Sequence, residues 1–236
     1  MKNIIVTGGA GFIGSHTCLS LLERGYRVFV IDSFINSSPL SLDKVLEILK
    51  NKNKNFKDEL IIFKCDLKDK SLLKIIFSDI KRKYKTIDGV IHFAGLKAVS
   101  ESISFPLNYW QSNVVGTINL IEIMQKYKCN TFVFSSSAAI YAQSEKSLLS
   151  ENDQLMPCNP YGNTKLSIEI LLKDIFNSSK MDLKFASLRY FNPIGAHASG
   201  LIGENPKGKP NNIFPLIINV AMGTQKNLEI YGDEKG

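Results

Sequence analysis

Near its beginning the chain reads Ile4-Ile5-Val6-Thr7-Gly8-Gly9-Ala10-Gly11-Phe12-Ile13-Gly14, an apolar run followed by a glycine-rich loop. The run predicts a buried strand, and residues 12–24 predict a helix. Glycine lets a backbone approach a ligand closely, and a helix N-terminus offers N–H groups and a partial positive charge. The other interpretation is an ordinary turn between a strand and a helix. The position of the loop between strand and helix favours pyrophosphate binding.

An acidic residue follows at the end of the second predicted strand, residues 27–31. Asp32 lies at the distance from the glycines at which a carboxylate accepts hydrogen bonds from the adenosine ribose. It could instead cap the next turn. A carboxylate at this position repels a 2′-phosphate, so the pattern favours NAD over NADP.

Strand-like and helix-like segments then alternate along the chain. This alternation predicts an α/β fold, a doubly wound parallel sheet of the Rossmann type. Residues 191–212 are rich in Gly, Pro and Asn and predict a long functional loop. We therefore expect an NAD-binding domain over residues 1–190 and the start of a smaller substrate domain over 191–236. Strands are expected at 3–7, 27–31, 60–63, 90–93, 131–134, 184–188 and 228–231. Helices are expected at 12–24, 41–50, 70–83, 106–127, 159–179 and 213–222.

Composition bounds the possible functions. The chain has 236 residues, 44% hydrophobic and 22% charged, with a formal net charge of +7. Its lysine clusters favour a solvated surface over a nucleic-acid patch, and the basic balance suits a small anionic substrate. The four scattered cysteines predict neither a disulfide framework nor a zinc site, so a cytoplasmic location is expected. No signal peptide and no membrane span are expected.

Three residues after the fifth predicted strand carry candidate chemistry. Tyr161 and Lys165 are four apart on a predicted helix and so share one face. Ser137 follows a strand at its carboxyl end, where open parallel sheets bind ligands. A nearby ammonium and a positive nicotinamide ring would lower the tyrosine pKa, so Tyr161 could remove a proton while hydride leaves the same carbon. Each residue also has a purely structural interpretation, as a half-buried aromatic, a solvated lysine or a turn former.

The sequence resembles the extended short-chain dehydrogenase/reductase family. Part of the resemblance is shared across much of that family, in the glycine loop and in Pro160-Tyr161-Gly162-Asn163-Thr164-Lys165. Two stretches are more particular to its epimerases acting at C4 of a UDP-hexose: His92-Phe93-Ala94-Gly95-Leu96-Lys97-Ala98-Val99 and Arg189-Tyr190-Phe191-Asn192-Pro193-Ile194-Gly195-Ala196-His197. The resemblance also includes Phe134-Ser135-Ser136-Ser137-Ala138 and Pro210-Asn211-Asn212.

This resemblance implies an isomerase that interconverts UDP-glucose and UDP-galactose through a transient 4-keto sugar, with Ser137, Tyr161 and Lys165 as catalytic residues. The implied NAD contacts are Gly8, Gly11, Phe12, Ile13, Gly14, Asp32, Ser33, Asn36, Ser37, Asp66, Leu67, Phe93, Ala94, Gly95, Lys97, Asn113, Ser137, Tyr161, Lys165 and Phe191. The implied UDP-sugar contacts are Ser137, Tyr161, Asn192, Asn212, Ile213, Glu229 and Tyr231.

The resemblance also implies a homodimer and a longer chain, with arginines past Arg189 that clamp the diphosphate. We therefore keep three alternatives: another nucleotide-sugar epimerase, acting on UDP-glucuronate or a UDP-N-acetylhexosamine; a nucleotide-sugar dehydratase; and a catalytically impaired NAD-binding fragment. A dehydratase needs an acid pair beside the strand-end hydroxyl residue for the elimination of water. Here Ala138 and Ala139 follow Ser137, which argues against that function. His92, a lone histidine in a strand, is expected to belong to the core.

Overall fold

The structure is a computed structural model that describes residues 1–51, 56, 58–143, 148–178, 182–205 and 212–229. Within these ranges six parallel strands form a single sheet in the order β3-β2-β1-β4-β5-β6. This is the strand order of a doubly wound dinucleotide-binding fold, and the predicted fold class is confirmed. The strands are β1 Asn3–Thr7, β2 Arg27–Asp32, β3 Leu60–Lys64, β4 Gly89–His92, β5 Thr131–Ser137 and β6 Lys184–Tyr190.

Helices cover both faces of the sheet. They are α1 Phe12–Glu23, α2 Leu40–Asn51, α3 Lys70–Tyr84, α4 Val99–Ser104, α5 Pro106–Tyr109, α6 Gly116–Lys126, α7 Pro160–Asn177 and α8 Ile213–Ala221. Apolar residues of α1 and α2 pack with one set of strand side chains, and those of α3, α6 and α7 pack with the other. Alternation along β1 divides its side chains between the two cores, with Ile5 in one and Val6 in the other.

The chain is helical from Pro106 to Lys126, close to the helix predicted over 106–127, but it is not a regular α-helix throughout. Helix α5 continues directly into a π-helical segment at Trp110–Val115, and this segment continues into α6. Wider π turns insert an extra residue into the helical repeat and occur often at functional sites. Here the π segment carries Asn113, a candidate site residue that is 1% exposed. The amphipathic pattern continues through the insertion, so periodicity alone does not reveal it.

Beyond Tyr190 the described chain is mostly irregular. Residues 191–205 contain one short antiparallel bridge, between Ala196 and Gly203, and α8 follows after residue 212. Leu228 and Glu229 have no regular secondary structure, and the rest of the strand predicted at 228–231 lies outside the described residues. In the part of the chain described, no helix is long and apolar enough to cross a membrane.

Candidate active site

The glycine loop joins β1 to α1 and packs against the loop that follows β4. Gly8 has a positive φ of 67°, and a Cβ at this position would lie 2.6 Å from the backbone nitrogen of Ala94. A Cβ on Gly14 would lie 2.2 Å from the carbonyl oxygen of Gly8. Both glycines are therefore required by close backbone contact. Two candidate cofactor segments, residues 8–14 and 93–97, are thereby held side by side.

The first turn of α1 is open to an anion. Gly11 is the residue that precedes the helix, and no side chain caps the helix N-terminus. The first N–H groups of a helix lack intrahelical partners and point toward such a ligand. A narrow glycine cradle next to an uncapped helix fits the pyrophosphate of a dinucleotide.

Asp32 ends β2 and connects this loop to the next one. One carboxylate oxygen accepts a hydrogen bond from the backbone N–H of Ala10 at 3.0 Å. The other accepts from the N–H of Phe34 at 2.9 Å and from the hydroxyl of Ser37 at 2.8 Å. Asp32 thus caps the turn after β2, as its structural interpretation predicts, and at the same time fixes the glycine loop.

The remaining candidates near β2 and β3 differ in exposure. Ser33 is half-buried and Asn36 is exposed, while Leu67 is buried in the core. Asp66 is exposed and accepts from the N–H of Lys68 at 2.9 Å. Asp66 does not cap the helix that follows, because Asp69 is the capping residue of α3.

A chain of hydrogen bonds connects β1, β4 and the π segment through the core. His92 lies between the hydroxyls of Thr7, at 2.6 Å, and Thr117, at 2.8 Å. Thr117 donates onward to the carbonyl oxygen of Asn113 at 2.5 Å. His92 is 2% exposed, which confirms the prediction that it belongs to the core.

Both polar atoms of the Asn113 side-chain amide are hydrogen-bonded to other residues of the chain. Its oxygen accepts from the N–H of Leu96 at 2.8 Å, and its nitrogen donates to the carbonyl of Leu96 at 3.0 Å. The same nitrogen donates to the hydroxyl of Thr164, on α7, at 3.1 Å. Asn113 therefore holds the loop after β4 against α7, beside a predicted cofactor surface.

Ser137, Tyr161 and Lys165 meet at the carboxyl end of β5. Helix α7 begins at Pro160, where the side chain of Asn159 accepts from the N–H of Gly162 at 2.8 Å, as the Asn-Pro pair predicts. One turn later the Lys165 ammonium donates to the carbonyl of Ser135 at 2.8 Å and lies 5.8 Å from the centre of the Tyr161 ring. Gly95 faces this ammonium, because a Cβ on Gly95 would lie 3.8 Å from Lys165 Nζ. The catalytic candidates and the loop after β4 thus share one edge of the sheet.

Burial controls the acid–base properties of these groups. Lys165 is 5% exposed, and burial lowers its pKa to about 8. Burial raises the pKa of the Tyr161 phenol, while a hydrogen bond with Ser137 acts in the opposite direction. Burial therefore opposes the lowering predicted from the sequence, whereas the interaction with Ser137 favours the phenolate.

The candidate UDP-sugar residues are more exposed and less closely grouped. Tyr190 is paired with Ser137 in the sheet, so Phe191 and Asn192, both exposed, continue the chain from the edge of the catalytic group. Ile213 and Glu229 are also exposed, and Tyr231 lies outside the described residues. Asn212 donates to the carboxylate of Glu204.

Glu204 is a residue of this region that the sequence reasoning missed. Its side chain is 10% exposed and forms an ion pair with Lys97 at 3.3 Å. It thereby bridges a candidate cofactor residue, Lys97, and a candidate substrate residue, Asn212. No local sequence signal marks this role, since Lys97 lies 107 positions away from Glu204.

Comparisons with known proteins agree with the predicted resemblance. A family model described as GDP-mannose 4,6 dehydratase matches residues 5–235. The chain is 46% identical over 233 residues to UDP-glucose 4-epimerase 2 of Arabidopsis thaliana, covering 99% of this chain and 64% of that protein. It is 48% identical over 233 residues to UDP-glucose 4-epimerase of Yersinia enterocolitica, covering 98% and 66%.

A solved structure gives the same result. The crystal structure of UDP-glucose-4-epimerase from Stenotrophomonas maltophila, with bound NAD and formylated UDP-arabinopyranose, aligns with a TM-score of 0.89 at 38% sequence identity. The alignment covers 99% of this chain and 66% of that one. The chain therefore spans somewhat less than two thirds of the length of the proteins that it matches.

Proposed function

This chain belongs to the GDP-mannose 4,6 dehydratase family, and we propose that it carries the NAD-binding and proton-transfer part of an isomerase that epimerises a UDP-hexose at C4. UDP-glucose and UDP-galactose are the proposed substrate and product. The observation that supports this best is the convergence of Ser137, Tyr161 and Lys165 beside the glycine loop. The names of the similar proteins point to the same reaction.

NAD is the proposed cofactor, and the glycine cradle and open N-terminus of α1 fit its pyrophosphate. Asp32 favours NAD over NADP, because its carboxylate would repel a 2′-phosphate. The proposed contacts are those that the sequence resemblance implies. Of these, Lys97 is held by Glu204 and Asn113 by Leu96 and Thr164.

In the proposed mechanism, bound NAD supplies a reversible hydride acceptor at C4 of the sugar. Tyr161 removes the proton of the 4-hydroxyl and later returns it to the 4-keto sugar. Ser137 hydrogen-bonds both the phenol and the reacting oxygen, so it stabilises negative charge on either one. The Lys165 ammonium is held in place by the Ser135 carbonyl and favours the phenolate by its charge.

The substrate region is proposed to begin after Tyr190, where the sheet ends and the irregular segment starts. Phe191 and Asn192 lead away from the catalytic edge, and Glu204 holds Asn212 near Lys97. Together with Ile213, Glu229 and Tyr231, these residues form the proposed contribution of this chain to UDP-sugar binding.

The test is a coupled assay of UDP-galactose conversion by the 236-residue chain, with bound NAD measured on the same sample. We expect Tyr161→Phe to lower the rate by about 10²–10⁴-fold, the usual contribution of general acid–base catalysis. Tyr127→Phe is the matched control, because Tyr127 contacts Lys74 on the outer side of α3 and α6, away from this site. A 4-keto-6-deoxy product would indicate a dehydratase, and NAD binding without turnover would indicate a binding fragment.

We also propose that two copies associate through helices α4 to α7. An exposed apolar stripe supports this, and it consists of Ile103, Leu107, Trp110 and Ile118, with Ile170 on α7. Exposed apolar surfaces of this kind commonly mark interfaces. Light scattering should give twice the monomer mass, and Leu107→Glu should return the monomer; a monomeric parent chain would contradict the proposal.

A cytoplasmic location is proposed from the buried, unpaired thiols of Cys18, Cys65 and Cys129.

A further inference from the structure

An ion pair that the mechanism does not use lies next to the catalytic group. Glu169 on α7 and Arg189 on β6 form two parallel hydrogen bonds, from Nε to Oε1 at 3.1 Å and from Nη2 to Oε2 at 2.8 Å. Their side chains are 11% and 16% exposed. Desolvation makes such a pair a poor source of stability compared with apolar residues of similar size. Its presence therefore calls for another role.

Glu169 belongs to the same helical stripe as the catalytic candidates. Tyr161, Lys165 and Glu169 follow one another at intervals of four, so they share one face of α7. This face contacts three consecutive residues at the end of β5. Tyr161 is hydrogen-bonded to Ser137, Lys165 donates to the carbonyl of Ser135, and Glu169 accepts from the hydroxyl of Ser136 at 2.5 Å. Glu169 is the farthest of the three from Tyr161 along α7.

Arg189 extends this contact to the neighbouring strand. It is paired with Ser136 in the β5–β6 register, one position before the pair of Ser137 and Tyr190. Its remaining terminal nitrogen donates to the hydroxyl of Tyr141 at 2.9 Å and to the carbonyl of Glu151 at 3.0 Å. The Tyr141 ring in turn stacks on Phe191, with centroids 6.4 Å apart. One guanidinium thus joins α7, β5, β6 and the segment that follows β5.

We propose that the Ser136–Glu169–Arg189 network is a positioning device that aligns α7 with β5, so that the Tyr161 phenol meets the Ser137 hydroxyl. The inference concerns positioning residues only, and its catalytic consequence rests on the proposed function. The two charge-assisted hydrogen bonds between Arg189 and Glu169 are planar and therefore directional. Together with the bond from the Ser136 hydroxyl to Glu169, they allow only one position of α7 relative to β5. Apolar packing at the same place would permit small shifts.

The first experiment compares the 236-residue chain with the double variant Glu169→Leu/Arg189→Met. This variant keeps the volume and removes both buried charges, so it is expected to fold. We expect NAD affinity and the UDP-galactose KM to change less than about threefold, and kcat to fall about 100-fold, the cost of a displacement of about 1 Å. Unchanged kcat would overturn the proposal. Loss of folding or of NAD binding would also overturn it, because the network would then be a stability element.

A conservative variant separates geometry from charge. The amide oxygen of Glu169→Gln still accepts from Ser136 or from Arg189, so it should retain part of the alignment and lose less than about tenfold in kcat. A loss as large as that of the double variant would contradict positioning by these hydrogen bonds. Asp79→Asn is the matched control, since it breaks an exposed ion pair with Arg82 and should leave all parameters unchanged.

A second readout needs no turnover. Carbon-13 NMR of tyrosine labelled at Cζ follows the ionisation of Tyr161, assigned by the signal that disappears in Tyr161→Phe. The Lys165 ammonium and the Tyr109 phenol on α5 interact with Tyr161 directly, and Tyr109 donates to Glu101 on α4. His92 on β4 lies near Lys165, and Arg189 and Tyr190 on β6 pair with Ser136 and Ser137 in the sheet.

The double variant should raise the Tyr161 pKa, because misalignment of α7 with β5 removes the interaction with Ser137 that lowers this pKa. An unchanged pKa would overturn the proposal. If the parent chain does not turn over UDP-galactose, the proposed function fails, and this titration still decides whether the network positions Tyr161.

Discussion

At the scale of single residues, His92 shows how a buried polar group can be fully satisfied. The Thr117 hydroxyl donates to the Asn113 carbonyl, so it must accept from His92 Nε2. Nδ1 then accepts from the Thr7 hydroxyl, whose oxygen accepts from the N–H of Ala94 at 3.3 Å. In this chain of hydrogen bonds His92 donates through Nε2 and accepts through Nδ1. Only the neutral imidazole has a ring nitrogen that can accept, so His92 must be uncharged. Burial accordingly lowers the pKa of His92 to about 3.

This histidine should make the fold sensitive to acid. Between pH 6.5 and 3 the unfolded chain binds a proton at His92 that the folded chain does not, so the free energy of unfolding should fall as the pH falls through that window. His92→Gln does not titrate and should show a shallower dependence. Urea unfolding at a series of pH values measures both, and parallel curves for the two proteins would refute the assignment.

Gly14 gives a second prediction at this scale. Alanine normally stabilises a helix relative to glycine by about 1 kcal/mol, but here its Cβ would lie 2.2 Å from the Gly8 carbonyl oxygen. Gly14→Ala should therefore destabilise the chain by about 1–3 kcal/mol, as overpacking does, and weaken NAD binding. Gly89→Ala is the control, because its Cβ would have ordinary contacts at 3.5 Å. Equal stability of Gly14→Ala and the parent, measured by urea unfolding, would show that the loop can move aside.

At the scale of elements, α3 is stabilised by a specific cap. The side chain of Asp69 accepts from the N–H of Leu72 at 2.9 Å, whereas the side chain of Asp66 contacts Lys68, which lies before the helix. Asp69→Ala should lower the free energy of unfolding by about 1 kcal/mol. Asp66→Ala should change it by less than about 0.5 kcal/mol. Thermal or urea unfolding measures the effect of each substitution. Equal effects of Asp69→Ala and Asp66→Ala would mean that the Asp69 cap does not stabilise α3 more than the Asp66 contact does.

The elements also show what sequence can predict. Apolar periodicity located the strands of the sheet, and Asn159-Pro160 marked the start of α7 correctly. Periodicity did not reveal the π segment between α5 and α6, because a π turn adds one residue without changing which residues are apolar. The sequence also does not show whether Asp66 or Asp69 caps the helix after β3, because two aspartates three apart offer the same local signal. Only the backbone geometry after β3 selects Asp69.

For the site, local motifs were predictable and long-range partners were not. The glycine loop and the Tyr161–Lys165 pair each lie within a few residues of sequence. Glu169 was within reach of the same reasoning, since it is four residues beyond Lys165. Its partner Arg189 comes from another strand, and Glu204 meets Lys97 across 107 positions, so their pairing depends on the folded chain.

At the scale of the whole molecule, Glu204 fastens the irregular segment to the core. Its carboxylate binds Lys97 after β4 and Asn212 before α8. Glu204→Ala should leave global stability nearly unchanged but loosen residues 196–203. Loss of about 1 kcal/mol of local stability corresponds to about fivefold faster amide exchange at His197 and Gly200, whose N–H groups are bonded inside this segment.

Hydrogen exchange with mass analysis measures this change. Glu122→Ala, which removes an exposed pair with Lys70, is the control and should leave exchange in the segment unaltered. Unchanged exchange in Glu204→Ala would mean that the segment is held by its other contacts.

The central place of β1 in the sheet has a consequence for synthesis on the ribosome. One edge of β1 pairs with β2, which follows soon after it, but the other pairs with β4, and Thr7 lies 85 residues before its partner His92. At about 5–20 residues per second, that edge waits roughly 4–17 s for its partner to be translated. During this interval the nascent chain exposes a strand edge made of Ile4, Ile5 and Val6. A growing chain of this protein should therefore depend most on chaperone protection before residue 92 leaves the exit tunnel.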